Sequence, residues 1–127
     1  MSSARTADAI RVDTVKAVEP GALRELYDSV GWSAYTRDMD LLCAAIVGSD
    51  FVVVVRQEGK LIGLARAISD DASVAYIQDI LVAPTHQGRG VGRALVLAVL
   101  ERYAHVRQKV LLTDNRPEQG IPGSRRN

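Results

Sequence analysis

The chain has a single cysteine, Cys43, so no intrachain disulfide can form, which suits a reducing compartment. Cys43 lies between Leu42 and Ala44 in a helical stretch and reads as a small core residue. No apolar run approaches the ~18 uninterrupted residues of a membrane span. The first residues, MSSARTADAIRVD, lack the apolar centre of a signal peptide. These absences predict a cytoplasmic protein with no membrane partner. Charge of one sign is not in excess either: a net charge of +1 gives no global field for nucleic acid. His86 and His105 share no ligand spacing with other residue types, so no metal is expected.

What is present is an ordinary globular composition, 47% hydrophobic and 24% charged, over 127 residues, enough for one domain with a real core. Its centre is the stretch Gln87-Gly88-Arg89-Gly90-Val91-Gly92. The run before it, residues 73–82 (SVAYIQDILV), is apolar and rich in β-branched and aromatic residues, which predicts a buried strand. The run after it, 91–104, predicts a helix with Val91, Ala94, Leu95, Ala98 and Val99 on one face. A glycine-rich turn feeding a helix leaves several N–H groups without intrahelical partners, at the positive end of the helix dipole. Such a turn suits a phosphate, with Arg89 and Arg93 beside it. Two familiar phosphate loops fail on spacing. A dinucleotide fingerprint counted from Gly88 meets Arg93 where its last glycine belongs, and a P-loop needs a lysine that is absent here.

The remaining chain reads in order as follows. Residues 10–15 alternate apolar and polar, predicting a half-exposed first strand. Pro20 opens a helix with Leu23, Leu26, Tyr27 and Val30 on one face, and Gly31 ends it. A second helix is expected over about 36–47, with Leu41, Leu42, Ala45 and Ile46 inward. Residues 51–55 are continuously apolar, a strand buried on both faces. Glu58-Gly59 then turns the chain into a partner strand over 61–69. Asp70-Asp71 makes the next turn, and 109–113 reads as a last strand, parallel to 73–82.

Gln87, Gly90 and Gly92 form Q-x-x-G-x-G after V-x-P (Val82, Pro84), and the string YIQDILVAPTHQGRGVGRALV resembles the acetyl-CoA pyrophosphate loop of the GCN5-related N-acetyltransferase (GNAT) superfamily. The resemblance covers about residues 10 to 118. It implies an α/β (α+β) fold, β-α-α-β-β-β-α-β, with two parallel strands splayed around a CoA-binding gap. Ile80, Leu81 and Val82 would then offer backbone groups to pantetheine. The N–H groups of Gln87, Gly88, Arg89, Gly90, Val91 and Gly92 would bind the pyrophosphate. The oxyanion donor would be a backbone N–H near Leu81. The family normally continues past the last strand with an F-Y-x-x-x-G-F type helix and further strands. Here the sequence turns to Gly-Ile-Pro-Gly-Ser-Arg-Arg-Asn, so a domain over 1–118 and an irregular tail over 119–127 are expected. The tyrosine that protonates the CoA thiolate in many relatives has no counterpart. An uncovered 109–113 edge predicts a homodimer.

Gln78 and Asp79 interrupt the middle of what should be the most buried strand, and a carboxylate there must be paired or functional. Several small-molecule members of the family place an acidic residue at this position facing the acceptor amine. By that resemblance Asp79 is a general base or an ammonium anchor; its bland alternative is a bulge residue bonding nearby backbone. Trp32 and Tyr35 fall where the family walls its acceptor pocket, though they could simply staple two helices. The expectation is transfer of an acetyl group from acetyl-CoA to the primary amine of a small molecule. The alternatives are a non-catalytic CoA-binding or regulatory domain and a peptide or protein N-acetyltransferase.

Overall fold

The computed structural model describes residues 10–111. Its five strands are β1 (Asp13–Thr14), β2 (Phe51–Gln57), β3 (Lys60–Ser69), β4 (Val74–Val82) and β5 (Gln108–Leu111). Its helices are α1 (Pro20–Ser29), α2 (Ser33–Thr36), α3 (Met39–Gly48) and α4 (Val91–Arg102), with a 3-10 turn at Pro84–His86. The strands lie in sequence order in one sheet, antiparallel from β1 to β4 and parallel between β4 and β5. This is the open mixed α+β sheet that the sequence led us to expect.

Local chemistry accounts for most boundaries. Pro20 starts α1 without losing a needed donor, and Leu23, Leu26 and Tyr27 bury its inner face. Gly31, at φ +83°, takes the left-handed conformation that ends the helix. Glu58 and Gly59, at φ 52° and 82°, make the tight β2–β3 turn whose twist matches the strands. At the next turn the Asp70 carboxylate accepts from the N–H groups of Ala72, Ser73 and Val74. These bonds favour its charged form and hold its pKa well below the usual carboxylate range, the Ser73 hydroxyl contributing most.

Two expectations need correction. The first strand is shorter than residues 10–15: only Asp13 and Thr14 pair with β2, and Val15 adds one bond to Val52. Ile10 and Val12 still pack on the core, so the alternation is kept where the ladder is not. The single second helix is in fact two. Asp38 caps α3 by accepting from Leu41 N–H at 3.1 Å, which restarts the helix and sets its rotation. Leu42 and Ile46, four apart, face inward, whereas Leu41 is 66% exposed. Nearly every residue of α3 from Leu41 to Val47 is apolar, so periodicity could not choose the buried face.

The sheet has a helical layer on each side. On one, Val91, Leu95 and Val99 of α4 are buried against it. A Cβ at Gly63 of β3 would lie 2.8 Å from Val91 Cγ1, so the glycine permits α4 to seat this closely. On the other lie α1 to α3, since Tyr27 of α1 reaches Asp79 of β4. At the far end of α4, Tyr103 donates to Asp50 at 2.6 Å, and the Arg102 guanidinium lies 4.8 Å over its ring. The parallel β4–β5 ladder joins Val74–Ile77 to Gln108–Leu111. The rest of the expected last strand, Leu112 and Thr113, and the expected 119–127 tail lie outside the described residues.

Candidate active site

The glycine-rich stretch lies where β4 passes into α4. Gly88 and Gly90 sit at φ +79° and +88°, a region costly for other residues. Gly90 is the N-cap of α4 and carries no side-chain cap. The first intrahelical bond is Ala94 N–H to Gly90 O, so the N–H groups of Val91, Gly92 and Arg93 have no partner within the helix. A Cβ at Gly88 would meet nothing within 4 Å, and one at Gly92 only Val82 Cγ2 at 3.6 Å, so the inner packing does not demand either glycine. Arg89 and Arg93 are exposed and form no ion pair among the described residues. Open space over bare backbone, unmatched N–H groups and two free cations fit the pyrophosphate of a CoA.

The strand leading into the loop can be sorted by direction. Ala83 N–H donates to Ile62 O at 2.8 Å, so Ala83 and Leu81 address β3 with their backbone groups. Ile80 and Val82 therefore turn theirs to the β5 side, where β4 has no described partner beyond Ile77. The Val82 carbonyl already accepts from Gln87 Nε2 at 3.1 Å. Of the three residues expected to meet pantetheine, Ile80 offers both backbone groups to the gap.

Asp79 lies one residue beyond a β-bulge. Arg66 pairs with Asp79 and Ala67 with Ile77, leaving Gln78 as the extra residue. The Asp79 side chain is 1% exposed and meets three donors. Oδ2 accepts from Arg66 Nε at 2.6 Å and from Tyr27 Oη at 2.9 Å, and Oδ1 accepts from Tyr35 Oη at 3.3 Å. Burial, then the Asp79 charge, push the Tyr27 hydroxyl far above the ordinary phenol range. For Arg66, burial acts to lower the pKa, but the charge and hydrogen bond of Asp79 outweigh it and leave it raised. Arg66 Nη1 also reaches Ser49 Oγ at 3.3 Å.

Tyr27, Trp32 and Tyr35 form one ring cluster, with centroids 5.2 to 5.9 Å apart. Next to it lies a cavity of about 390 Å³, lined by Ala34, Tyr35, Leu41, Leu42, Ala45 and Arg66. It is of a size to take a small molecule. Tyr35 thus belongs both to the cavity and to the Asp79 network, while Trp32 backs the tyrosines. Arg66 and Tyr27 were not singled out as site residues from the sequence. Arg66 had a signal: a charge inside the apolar run LIGLARAIS needs a buried partner, as Asp79 does. Tyr27 gave none, since its place on the inner face of α1 suits any core tyrosine.

Tyr103, buried and bonded to Asp50, is also pushed up, first by burial. Raised folded values mean that the stability these phenols contribute is complete below the ordinary phenol pKa of about 10. It is lost as pH climbs toward the folded values. In an alkaline titration followed by phenolate absorbance, Tyr27 and Tyr103 should ionise only as the protein unfolds. Release of all four tyrosines in one step at the ordinary phenol pH, with the fold intact, would contradict the network.

Fold and loop together point to one family, built on a mixed sheet with a glycine-rich turn at the start of α4. Residues 19–120 match the Acetyltransferase (GNAT) family, and the chain belongs to that family. It is 39% identical over 94 residues to GCN5-related N-acetyltransferase 2, chloroplastic, of Arabidopsis thaliana, a match covering 58% of this chain and 36% of that one. It is also 39% identical over 85 residues to Histone acetyltransferase TAP1 of Glycine max, with the same coverage. The chain therefore spans little more than a third of the length of these curated relatives, 36% in each case. Among solved structures, a GNAT-family acetyltransferase from Streptococcus pneumoniae superposes with a TM-score of 0.72 at 24% identity, covering 87% of this chain and 80% of that one. An aminoglycoside acetyltransferase from an uncultured soil sample, in complex with sisomicin, gives 0.63 at 17% identity, covering 83% and 78%. At such identities the likeness shows the fold.

Proposed function

We propose that the chain transfers the acetyl group of acetyl-CoA to the primary amine of a small molecule. The observation that carries this reading is the uncapped start of α4, where N–H groups without intrahelical partners and two exposed arginines, neither in an ion pair among the described residues, lie by the open space over Gly88. Acetyl-CoA supplies the activated thioester when bound. Val91, Gly92 and Arg93 N–H groups, with the Arg89 and Arg93 side chains, would hold its diphosphate. Ile80 would hold the pantetheine arm through its backbone. The cavity beside Tyr35 is a separate space for an acceptor, and bringing the two reactants together supplies much of the rate.

The test is ligand-dependent stability. CoA at ~100 times its dissociation constant should add about 2.7 kcal/mol to the unfolding free energy. Arg93→Glu and Gly90→Asp should each remove most of that gain. Undiminished CoA affinity in both variants would overturn the assignment.

The likeness to a relative named as a histone acetyltransferase favours a second reading, in which the acceptor is the amine of a protein. The cavity is lined in part by the exposed Leu41, which is compatible with either acceptor. For assembly we favour a homodimer through the β5 edge, one of the two outer strands among the described residues, where Leu111 is 52% exposed. A cytoplasmic setting fits the single reduced cysteine.

A further inference from the structure

The Asp79 carboxylate is closed off from any acceptor. Its side chain is 1% exposed, behind Tyr27, Tyr35 and Arg66, so it cannot take a proton from an amine directly. Two of its three partners are unsuited to pass one. Arg66 stays protonated at any working pH, and Tyr27 is itself fully buried. Tyr35 differs from both. It is half-buried, donates to Oδ1, the oxygen that neither Arg66 nor Tyr27 uses, and is among the residues that line the cavity. A phenol can accept one proton while giving up another.

We infer that Tyr35 is the group that meets the acceptor amine and relays its proton to Asp79, with Arg66 and Tyr27 as positioning residues for the carboxylate. This rests on the proposed amine acetylation. The acceptor arrives as an ammonium ion. One of its protons moves to Tyr35 Oη as the Tyr35 proton moves to Asp79 Oδ1, leaving a neutral amine. The amine nitrogen attacks the thioester carbonyl carbon, the C–N bond forms, and the C–S bond breaks with its electron pair on sulfur. The second nitrogen proton, released as the amide forms, goes to the thiolate, so no separate acid is needed. The products are an amide, free CoA thiol and one proton held on Asp79, which returns to water before the next cycle.

The geometry restricts what each partner can do. Arg66 and Tyr27 both bond Oδ2, which pins the carboxylate and leaves Oδ1 facing Tyr35. The Tyr35 ring is fixed by Tyr27 at 5.2 Å and by Trp32 at 5.7 Å between centroids. Those ring contacts survive in Tyr35→Phe, which removes the hydroxyl alone.

The experiment follows CoA thiol release from acetyl-CoA with benzylamine, putrescine and a lysine-containing peptide as acceptors. Tyr35→Phe should lower kcat by about 10²-fold or more, the range of acid–base catalysis. Its KM for acetyl-CoA and its melting temperature should stay close to wild type. Because Tyr35 and Asp79 act in one path, Tyr35→Phe placed in an Asp79→Asn background should cost less than about threefold further. A purely structural tyrosine would instead give independent, multiplicative losses. Wild-type kcat in Tyr35→Phe, or multiplicative losses in the double variant, overturns the relay while leaving amine acetylation standing. Absence of thiol release by the wild-type chain with every acceptor overturns both.

Discussion

Arg66→Met should lower the folding stability by about 3–5 kcal/mol, the usual consequence of leaving one member of a buried ion pair without the other. The arginine side chain is 8% exposed and the aspartate 1%, so water cannot replace the missing guanidinium. Methionine fills similar volume, so loss of packing is a minor part of the effect. Tyr27 and Tyr35 would still donate to the carboxylate, but neutral donors do not compensate its charge. Adding Asp79→Asn to Arg66→Met removes the stranded charge and keeps an acceptor for Tyr27, so the double variant should recover half or more of the loss. Urea melts of the wild type and these two variants measure this directly. A single variant within about 1 kcal/mol of wild type would mean that the pair is solvated and that its partners do not hold it.

This ion pair also marks the limit of what the sequence could disclose. The loop was legible because glycine spacing, a preceding strand and a following helix all agree locally, and Gly88 and Gly90 do take the backbone conformations that only glycine adopts readily. The hairpin at Glu58-Gly59 and the end of α1 at Gly31 were legible for the same reason. Asp79 stood out as a charge in an apolar strand. That Arg66 and Tyr27 are its partners could not be read, because they sit 13 and 52 residues away and meet it only once β3 lies beside β4 and α1 lies across them. A one-residue bulge at Gln78 brings Asp79 opposite Arg66; the polar pair Gln78-Asp79 allowed a bulge to be considered, but not which residue would face Arg66. The inward face of α3 was equally hidden, since an all-apolar helix shows no preferred side.

The acceptor chemistry was legible only as a position. Tyr35 could be placed near the acceptor by resemblance, but its double membership in the cavity and the Asp79 network is a property of packing. The same packing explains why Asp79 is better described as the carboxylate behind a phenol than as a base open to substrate. It also makes the loop and the Asp79 network separate parts: the former hangs on α4, the latter on α1, α2, β3 and β4.

That separation sets the result expected for Asp79→Asn. Turnover should fall by about 10²–10⁴-fold, the usual contribution of a positioned acid or base, because an amide cannot take the proton that Tyr35 passes on. CoA affinity should remain near wild type, since none of the hydrogen bonds to the Asp79 side chain comes from the glycine-rich loop. Stability should fall less than in Arg66→Met. The charge stranded by this change is the guanidinium, whose Nη1 keeps its bond to Ser49 Oγ and whose Nε can still donate to the asparagine oxygen. Asparagine also retains an oxygen for the Tyr27 hydroxyl. Steady-state kinetics with saturating acetyl-CoA, a CoA titration and a urea melt separate these three effects in one variant. Wild-type turnover in Asp79→Asn would remove the carboxylate from the chemistry and leave it a purely structural partner of Arg66. A loss of turnover matched by an equal loss of CoA affinity would instead show that the bulge and the loop move as one body.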